Sequence, residues 1–376
     1  MGNKKSIGIV TWYKGGNYGT TLQAFALYTF LKIAGYNCSI IENFNYKLFG
    51  GKSFLKSLIR PTHFFEIRNR QRLNKKKNVL KLLKINDFIK KYMKVVLVEN
   101  RIQYNSLIRK TDVFCVGSDQ LWNAYYMYNP FNFLDFAGEK KRISYAASMG
   151  TNDFPESYEN SIKQLLIKFK HIAMRENTGT IAVSKLTDRD DIKTVVDPTF
   201  LLTKEEWQYV GSSPSFEIDM PSKYILCYFI GNNANYGEQV EILKKKTRIS
   251  NVIDISIVDS PVYSFSGSVK YDTAGIIEFL YLLSHATWVC TDSFHATAIS
   301  INMGKNFTEF LRFKDGDKAS QNSRIYDVLD TFKLSERLYS DESDNWAKPI
   351  DYTVAHNILD ALRKDSSEWL INAIEH

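Results

Sequence analysis

Short apolar runs that end in a polar turn and pass at once into a helix-forming segment recur along this chain, and this alternation constrains the fold more than any other feature. Ser6–Trp12 is such a run. It leads through Gly15, Gly16 and Gly19 into Tyr18–Ala34, which reads as a helix closed by Gly35. Tyr36–Glu42, Asp112–Val116, Lys141–Ala147, His171–Met174 and Thr194–Val196 read as further strands, with helices at Glu156–Phe169 and Asn177–Lys185. After the polar stretch Gly211–Ser215 the pattern restarts. Strands are expected at Tyr224–Ile230, Asn251–Ile257 and Thr287–Cys290, and helices at Tyr236–Lys246, Ala274–Ser284 and from Ala296 to Met303. Ser323–Phe332 and Val354–Ile374 close the chain as helices. Strand–helix alternation implies parallel sheets covered by helices, and 376 residues exceed what one core usually supports. The expectation is an α/β chain of two Rossmann-like parallel-sheet domains facing a cleft. The first spans 1–200 with a basic helical insertion at 47–110, and the second spans 216–376.

Ligands of open α/β sheets sit beyond the carboxyl ends of the strands, so the strand-to-helix turns carry the chemistry. In the first turn the glycine spacing matches neither GxGxxG nor a P-loop, which argues against dinucleotide or ATP binding. Asn17 and Thr20 are suited to bond sugar hydroxyls, and Tyr18 to stack on a pyranose. The second turn, Val116–Asn123, offers Asp119 and Trp122; Asp119 binds a sugar hydroxyl or acts as a base, or else only caps the turn. Arg175 follows a buried strand, where a guanidinium grips a carboxylate or phosphate, or else pairs with Glu176. The loop from Arg312 to Arg324 carries Lys314 and Lys318 and delivers Arg324 to a helix start. The turn Thr291-Asp292-Ser293 places His295 at another helix start, where unpaired N–H groups favour anions. His295 there is either a titratable catalytic group or a core histidine bonded to a carbonyl.

The formal net charge of +8 is concentrated rather than spread. Between Lys47 and Lys110 the many lysines and arginines meet only Glu66, Asp87 and Glu99, and apolar residues thread among them. Such a stretch is a solvated helical face or a surface for an anionic membrane; no recognition motif points to nucleic acid. Cys38, Cys115, Cys227 and Cys290 lie in apolar runs without CxxC spacing, which fits reduced core thiols, a cytoplasmic setting and no zinc site. No apolar run is long enough to span a bilayer, and no signal peptide is legible.

Taken together, Gly-Asn-Tyr-Gly-Thr-Thr-Leu-Gln-Ala-Phe (16–25), Val-Gly-Ser-Asp-Gln-Leu-Trp-Asn (116–123), Ile-Ser-Tyr-Ala-Ala-Ser-Met-Gly (143–150), Arg-Glu-Asn (175–177), Val-Asp-Pro-Thr (196–199) and Thr-Asp-Ser-Phe-His-Ala (291–296) resemble the polysaccharide pyruvyl transferase family. The resemblance implies a fold similar to the GT-B glycosyltransferases. It also implies transfer of a pyruvyl group from phosphoenolpyruvate, a donor substrate rather than a cofactor, to two hydroxyls of one sugar as a cyclic ketal. His295 takes the place of the family's histidine and Arg175 that of its arginine. Ser293 stands where many members carry arginine, so donor charge falls to Arg324 or a loop lysine such as Lys318. The first domain becomes the acceptor side, with Asn17, Tyr18, Thr20, Asp119 and Trp122, and the second the donor side. The acceptor is a sugar of a cell-surface polysaccharide or its lipid-linked precursor, assembled at the inner face of the plasma membrane. The rival readings are a GT-B glycosyltransferase using a nucleotide sugar and a non-catalytic glycan-binding protein.

Overall fold

The computed structural model describes residues 4–44, 77–216, 219–258, 260–313 and 321–376. Two open sheets carry the molecule, and every strand pairing is parallel. The first holds β1 (Ser6–Val10), β2 (Asn37–Ile41), β3 (Val95–Val96), β4 (Val113–Val116), β5 (Lys141–Ala147), β6 (His171–Met174) and β7 (Lys193–Thr194), in the order β3-β2-β1-β4-β5-β6-β7. The second holds β8 (Ile225–Tyr228), β9 (Val252–Asp254), β10 (Ser268–Lys270), β11 (Trp288–Thr291) and β12 (Phe307–Glu309), in the order β10-β9-β8-β11-β12. Each sheet therefore reverses its winding beside its first strand, between β1 and β4 and between β8 and β11. A crevice opens at such a reversal because the flanking connections leave on opposite faces. The two sheets form the GT-B-like pair that the alternation and the motifs led one to expect.

The central strands are apolar throughout because helices cover both faces; β4, β8 and β11 are buried at every residue. The helix Phe294–Met303 is likewise buried at all positions. Its small residues let neighbouring elements approach, and Gly304 ends it at φ 66°. The strands not anticipated, β3, β10 and β12, are sheet-edge pieces of 2, 3 and 3 residues, too short to show a period.

Two of the elements that join the sheets are helices near the expected domain limits. The last helix, Thr353–Glu375, leaves the second unit and returns to the first sheet. There Ser366 Oγ accepts the Val196 amide at 3.1 Å and Glu375 pairs with Lys5 at 3.4 Å. The expected second domain, 216–376, thus gives its final helix to its neighbour. Of the basic stretch, residues 47–76 lie outside the described residues; the remainder forms the helices Lys77–Tyr92 and Arg101–Lys110 around β3. The first of these packs Phe88 against Phe25 at 5.1 Å and sets Lys84 3.1 Å from Glu278 of the second unit. Among the described residues no helix is long and apolar enough to cross a membrane.

Candidate functional site

The ends of β4, β6 and β7 and the helix after β11 converge on one carboxylate. Asp197 follows β7 and its side chain is fully buried. Its Oδ1 accepts the amide of Thr199 at 2.9 Å and the Thr199 hydroxyl at 2.8 Å, which fixes the plane of the group. Its Oδ2 accepts the Ser118 hydroxyl at 3.0 Å and Nη1 of Arg175 at 3.3 Å, and lies 3.7 Å from Nε2 of His295. Burial alone would raise the Asp197 carboxyl. The nearby His295 and Arg175 and the Thr199 amide outweigh it and hold the group well below the usual carboxylate range.

His295 crosses from the second unit to meet this carboxylate. Its ring is almost enclosed, and Nε2 makes no hydrogen bond among the described residues. The other ring nitrogen rests on Gly19, at the start of the helix Tyr18–Ile33 that follows β1; a β-carbon there would overlap it. A glycine of the first turn thus makes room for the imidazole of the second unit.

Two guanidinium groups complete the positive wall. Arg175 donates Nη2 to Ser148 Oγ at 2.9 Å, sets Nε 3.4 Å from Glu176 and lies 4.3 Å above the Phe294 ring. Arg175 pairs with Glu176, the plainer of its two expected roles, and it also lines a cavity. Burial works against its charge, while Glu176, Asp197 and Asp119 raise its pKa. Arg324 is 9% exposed and makes no hydrogen bond or ion pair among the described residues. Burial first, then the positive charges of Arg312 and Arg175, push its pKa down to about 9. Arg175, Arg324, Asp197, Phe294, Glu176 and Asp327 line one cavity of about 360 Å³.

Asp119 belongs to the same neighbourhood, since its charge acts on both Arg175 and Arg324. It accepts the Gln120 amide at 2.9 Å and the Thr20 hydroxyl at 3.2 Å, so it caps its turn and also ties it to the first helix. Gln120 then reaches Gln321 of the second unit at 3.2 Å. Asn17 caps the first helix by accepting the Gly19 amide at 2.9 Å, and it takes the Tyr228 hydroxyl at 3.1 Å.

Other expected site residues lie elsewhere. Tyr18 is fully buried between Phe279 (4.6 Å) and Tyr228 (5.3 Å) and donates its hydroxyl to the Ala274 carbonyl at 2.8 Å. It cements the two units and presents no face to a sugar. Trp122 is also fully buried, stacked on Phe133 at 5.4 Å with its indole N–H on the Asn132 carbonyl at 2.9 Å. In both cases an aromatic ring beside a polar turn faces the core side of that turn. Ser293 is 1% exposed; its amide goes to Thr291 Oγ1 at 3.1 Å and its side chain caps nothing. The neighbouring Asp292 is occupied by the turn after β8, accepting the amides of Ile230 (2.7 Å) and Gly231 (2.6 Å). Lys318 and Lys314 lie outside the described residues. Asp197 was legible as the end of a strand and as a member of the Val-Asp-Pro-Thr motif, but nothing in its local pattern announces the groups that meet at its Oδ2. All four cysteines are buried and free. Among the described residues no three His, Cys, Asp or Glu side chains gather as a metal ion requires.

A family model for polysaccharide pyruvyl transferases matches residues 17–310. No curated protein matches the chain. Among solved structures, the S. aureus MnaA–UDP co-structure aligns with a TM-score of 0.52 at 10% identity, covering 99% of this chain and 96% of that one. A UDP-GlcNAc 2-epimerase from Methanocaldococcus jannaschii aligns at 0.48 and 12% identity, covering 96% and 99%. A putative UDP-N-acetylglucosamine 2-epimerase from Listeria monocytogenes aligns at 0.47 and 13%, covering 97% of each chain. The first of these likenesses speaks to the fold alone.

Proposed function

The chain belongs to the polysaccharide pyruvyl transferase family, and on that premise we propose that it transfers a pyruvyl group from phosphoenolpyruvate to two hydroxyls of one acceptor sugar, forming a ketal and releasing phosphate. The observation that carries this reading is Arg324. A guanidinium nine-tenths enclosed, without an ion pair or hydrogen bond among the described residues and beside two further arginines, is a cation suited to hold an anionic donor. A buried charge without a directly bonded partner costs on the order of several kcal/mol, which a bound anion offsets. Phosphoenolpyruvate brings about two to three negative charges near neutral pH, from one carboxylate and a phosphate whose second pKa is about 6. Arg175 and Arg324, lining one cavity, match the two anionic ends.

His295 serves the acceptor in this reading. As the first sugar hydroxyl attacks carbon 2 of the donor, its proton passes to the imidazole. Asp197, 3.7 Å away, orients the ring and balances the positive charge that develops. When phosphate leaves, the imidazolium returns that proton to it. Asp119 and Thr20, in the first unit, are suited to hold acceptor hydroxyls. The reaction draws on fixed charges of the chain, and we propose no metal or cofactor for it.

We further propose that the acceptor is lipid-linked, and that the basic stretch 47–110 docks the enzyme on the anionic inner face of the plasma membrane. In its described part, Leu83 is 52% exposed on the helix that ends with Lys90 and Lys91. Flotation with anionic liposomes checks this, and equal behaviour with neutral lipid or high salt would remove it.

The test of the reaction is incubation with phosphoenolpyruvate and a panel of sugar acceptors, followed by free phosphate and product mass. Phosphate together with a product heavier by one ketal-linked pyruvate supports the assignment. Nucleoside diphosphate released from a nucleotide sugar would replace it with glycosyl transfer. Glycan binding without donor consumption would reduce the protein to a binding module.

A further inference from the structure

Four carboxyl groups face the cavity that holds Arg175 and Arg324: Glu176, Asp197, Asp327 and Asp330. Three of them have polar or charged partners. Glu176 accepts the amides of Met149 (2.8 Å) and Gly150 (3.3 Å) and lies 3.4 Å from the Arg175 guanidinium. Asp197 is held by Arg175, Thr199 and Ser118 as described. Asp330 is solvent-exposed and lies 3.6 Å from Lys333. Asp327 differs. Among the described residues its carboxyl has no hydrogen bond and no cation, and its Oδ2 is buried. It stands three residues after Arg324 on the helix Ser323–Thr331, so both project from one side of that helix into the same cavity.

A carboxyl in that setting is poorest as an anion. Burial, then the like charges of Glu176 and Asp330, raise its pKa, whereas Asp197 across the cavity is held low. Two acids pushed apart in one site divide naturally into a proton carrier and a fixed charge. The reaction proposed above lacks a proton carrier. Carbon 3 of the donor must gain a proton before carbon 2 can be attacked, and His295 is occupied with the acceptor hydroxyl.

We propose that Asp327 is the catalytic acid that protonates carbon 3 of the enol donor, an assignment that rests on the pyruvyl-transfer reading. The O–H bond of the Asp327 carboxyl breaks, and the π pair of the C2–C3 double bond takes the proton to make a methyl group. Carbon 2, now electrophilic, accepts a lone pair of the first hydroxyl, whose proton goes to His295. Phosphate then departs with the C2–O bond pair and the His295 proton. The second hydroxyl attacks carbon 2, and its proton returns to the Asp327 carboxylate. Diol and phosphoenolpyruvate give ketal and phosphate, with both side chains restored.

Asp327→Asn tests this, because the amide keeps the shape and removes the transferable proton. Turnover is followed as phosphate release with an acceptor that the wild type uses, and donor binding as the phosphoenolpyruvate-induced rise in Tm. The variant is expected to lose 100-fold or more in kcat and to retain the donor-induced shift. Turnover within threefold of wild type would overturn the role of Asp327 and leave the pyruvyl-transfer reading standing. Loss of the donor-induced shift along with turnover would also overturn it, since Asp327 would then serve binding. If the wild type itself releases no phosphate with any acceptor, the function assignment falls and this role with it.

Discussion

Oδ2 of Asp197, at the end of the first sheet, lies 3.7 Å from Nε2 of His295, in the first turn of a helix of the second unit. The same oxygen takes Nη1 of Arg175 and the Ser118 hydroxyl, so one carboxylate registers both units and both halves of the candidate site. His295→Gln should lower phosphate release by about 10²–10⁴-fold while circular dichroism and the donor-induced Tm shift stay as in wild type. Turnover close to wild type would remove His295 from the chemistry. Asp197→Asn should do more, because an amide N–H₂ facing Arg175 breaks a buried network. Urea unfolding should show a loss of roughly 3 kcal/mol besides the loss of activity.

Gly19 makes a separate prediction. Alanine is the better helix former by about 1 kcal/mol, and Gly19 lies within the first turn of the helix Tyr18–Ile33. Its β-carbon would nevertheless overlap the His295 ring. Gly19→Ala should therefore fold and melt near wild type but lose most turnover, because the imidazole must rotate away from Asp197. Serine at this position should behave the same way. Unchanged kcat in both variants would show that the ring has freedom the packing does not suggest.

The paired sheets were legible because buried parallel strands are apolar runs, and polar turns mark where each one ends. His295, Arg175 and Arg324 were legible for the same reason, since each stands at a strand's end or a helix start. Asp197 carried the same positional signal but stood beside Pro198 in an ordinary cap pattern. Its importance arises from two donors, at residues 118 and 175, and an imidazole nitrogen at residue 295 that meet at one oxygen, and sequence order does not announce that meeting. Tyr18 and Trp122 failed in the opposite sense. Position in a turn indicates that a residue is near the cleft, whereas which way its ring points is decided by the core it meets. For Tyr18 that core comes from Phe279 and Tyr228, more than two hundred residues away.

The depressed pKa of Asp197 has a consequence for acid stability. Its unfolded-state pKa is about 3.9, and the folded value lies below that. The folded state therefore binds fewer protons in that window. The contribution of this carboxylate is complete above about pH 4 and is lost as pH falls through the folded pKa. Urea midpoints taken from pH 6 down to pH 3 should fall in wild type and fall less steeply in Asp197→Asn. Parallel slopes for the two proteins would mean that other carboxylates govern the acid limb.

Arg324 and Arg175 face one cavity but should respond oppositely to removal of charge. Arg324 has no partner among the described residues, and burial with Arg312 and Arg175 nearby pushes its pKa down to about 9. Arg324→Met should relieve that strain, so the empty protein should gain about 1 kcal/mol or more and melt higher. Arg175 is tied to Asp197, Glu176 and Ser148, so Arg175→Met should leave two carboxylates uncompensated and melt lower. Both variants should bind phosphoenolpyruvate more weakly, by about tenfold or more, since a charge-assisted hydrogen bond contributes about 1.5–3 kcal/mol. Differential scanning fluorimetry with and without the donor reads both effects at once. A lower Tm in Arg324→Met, or donor affinity equal to wild type, would mean that this guanidinium holds the fold together and does not await an anion.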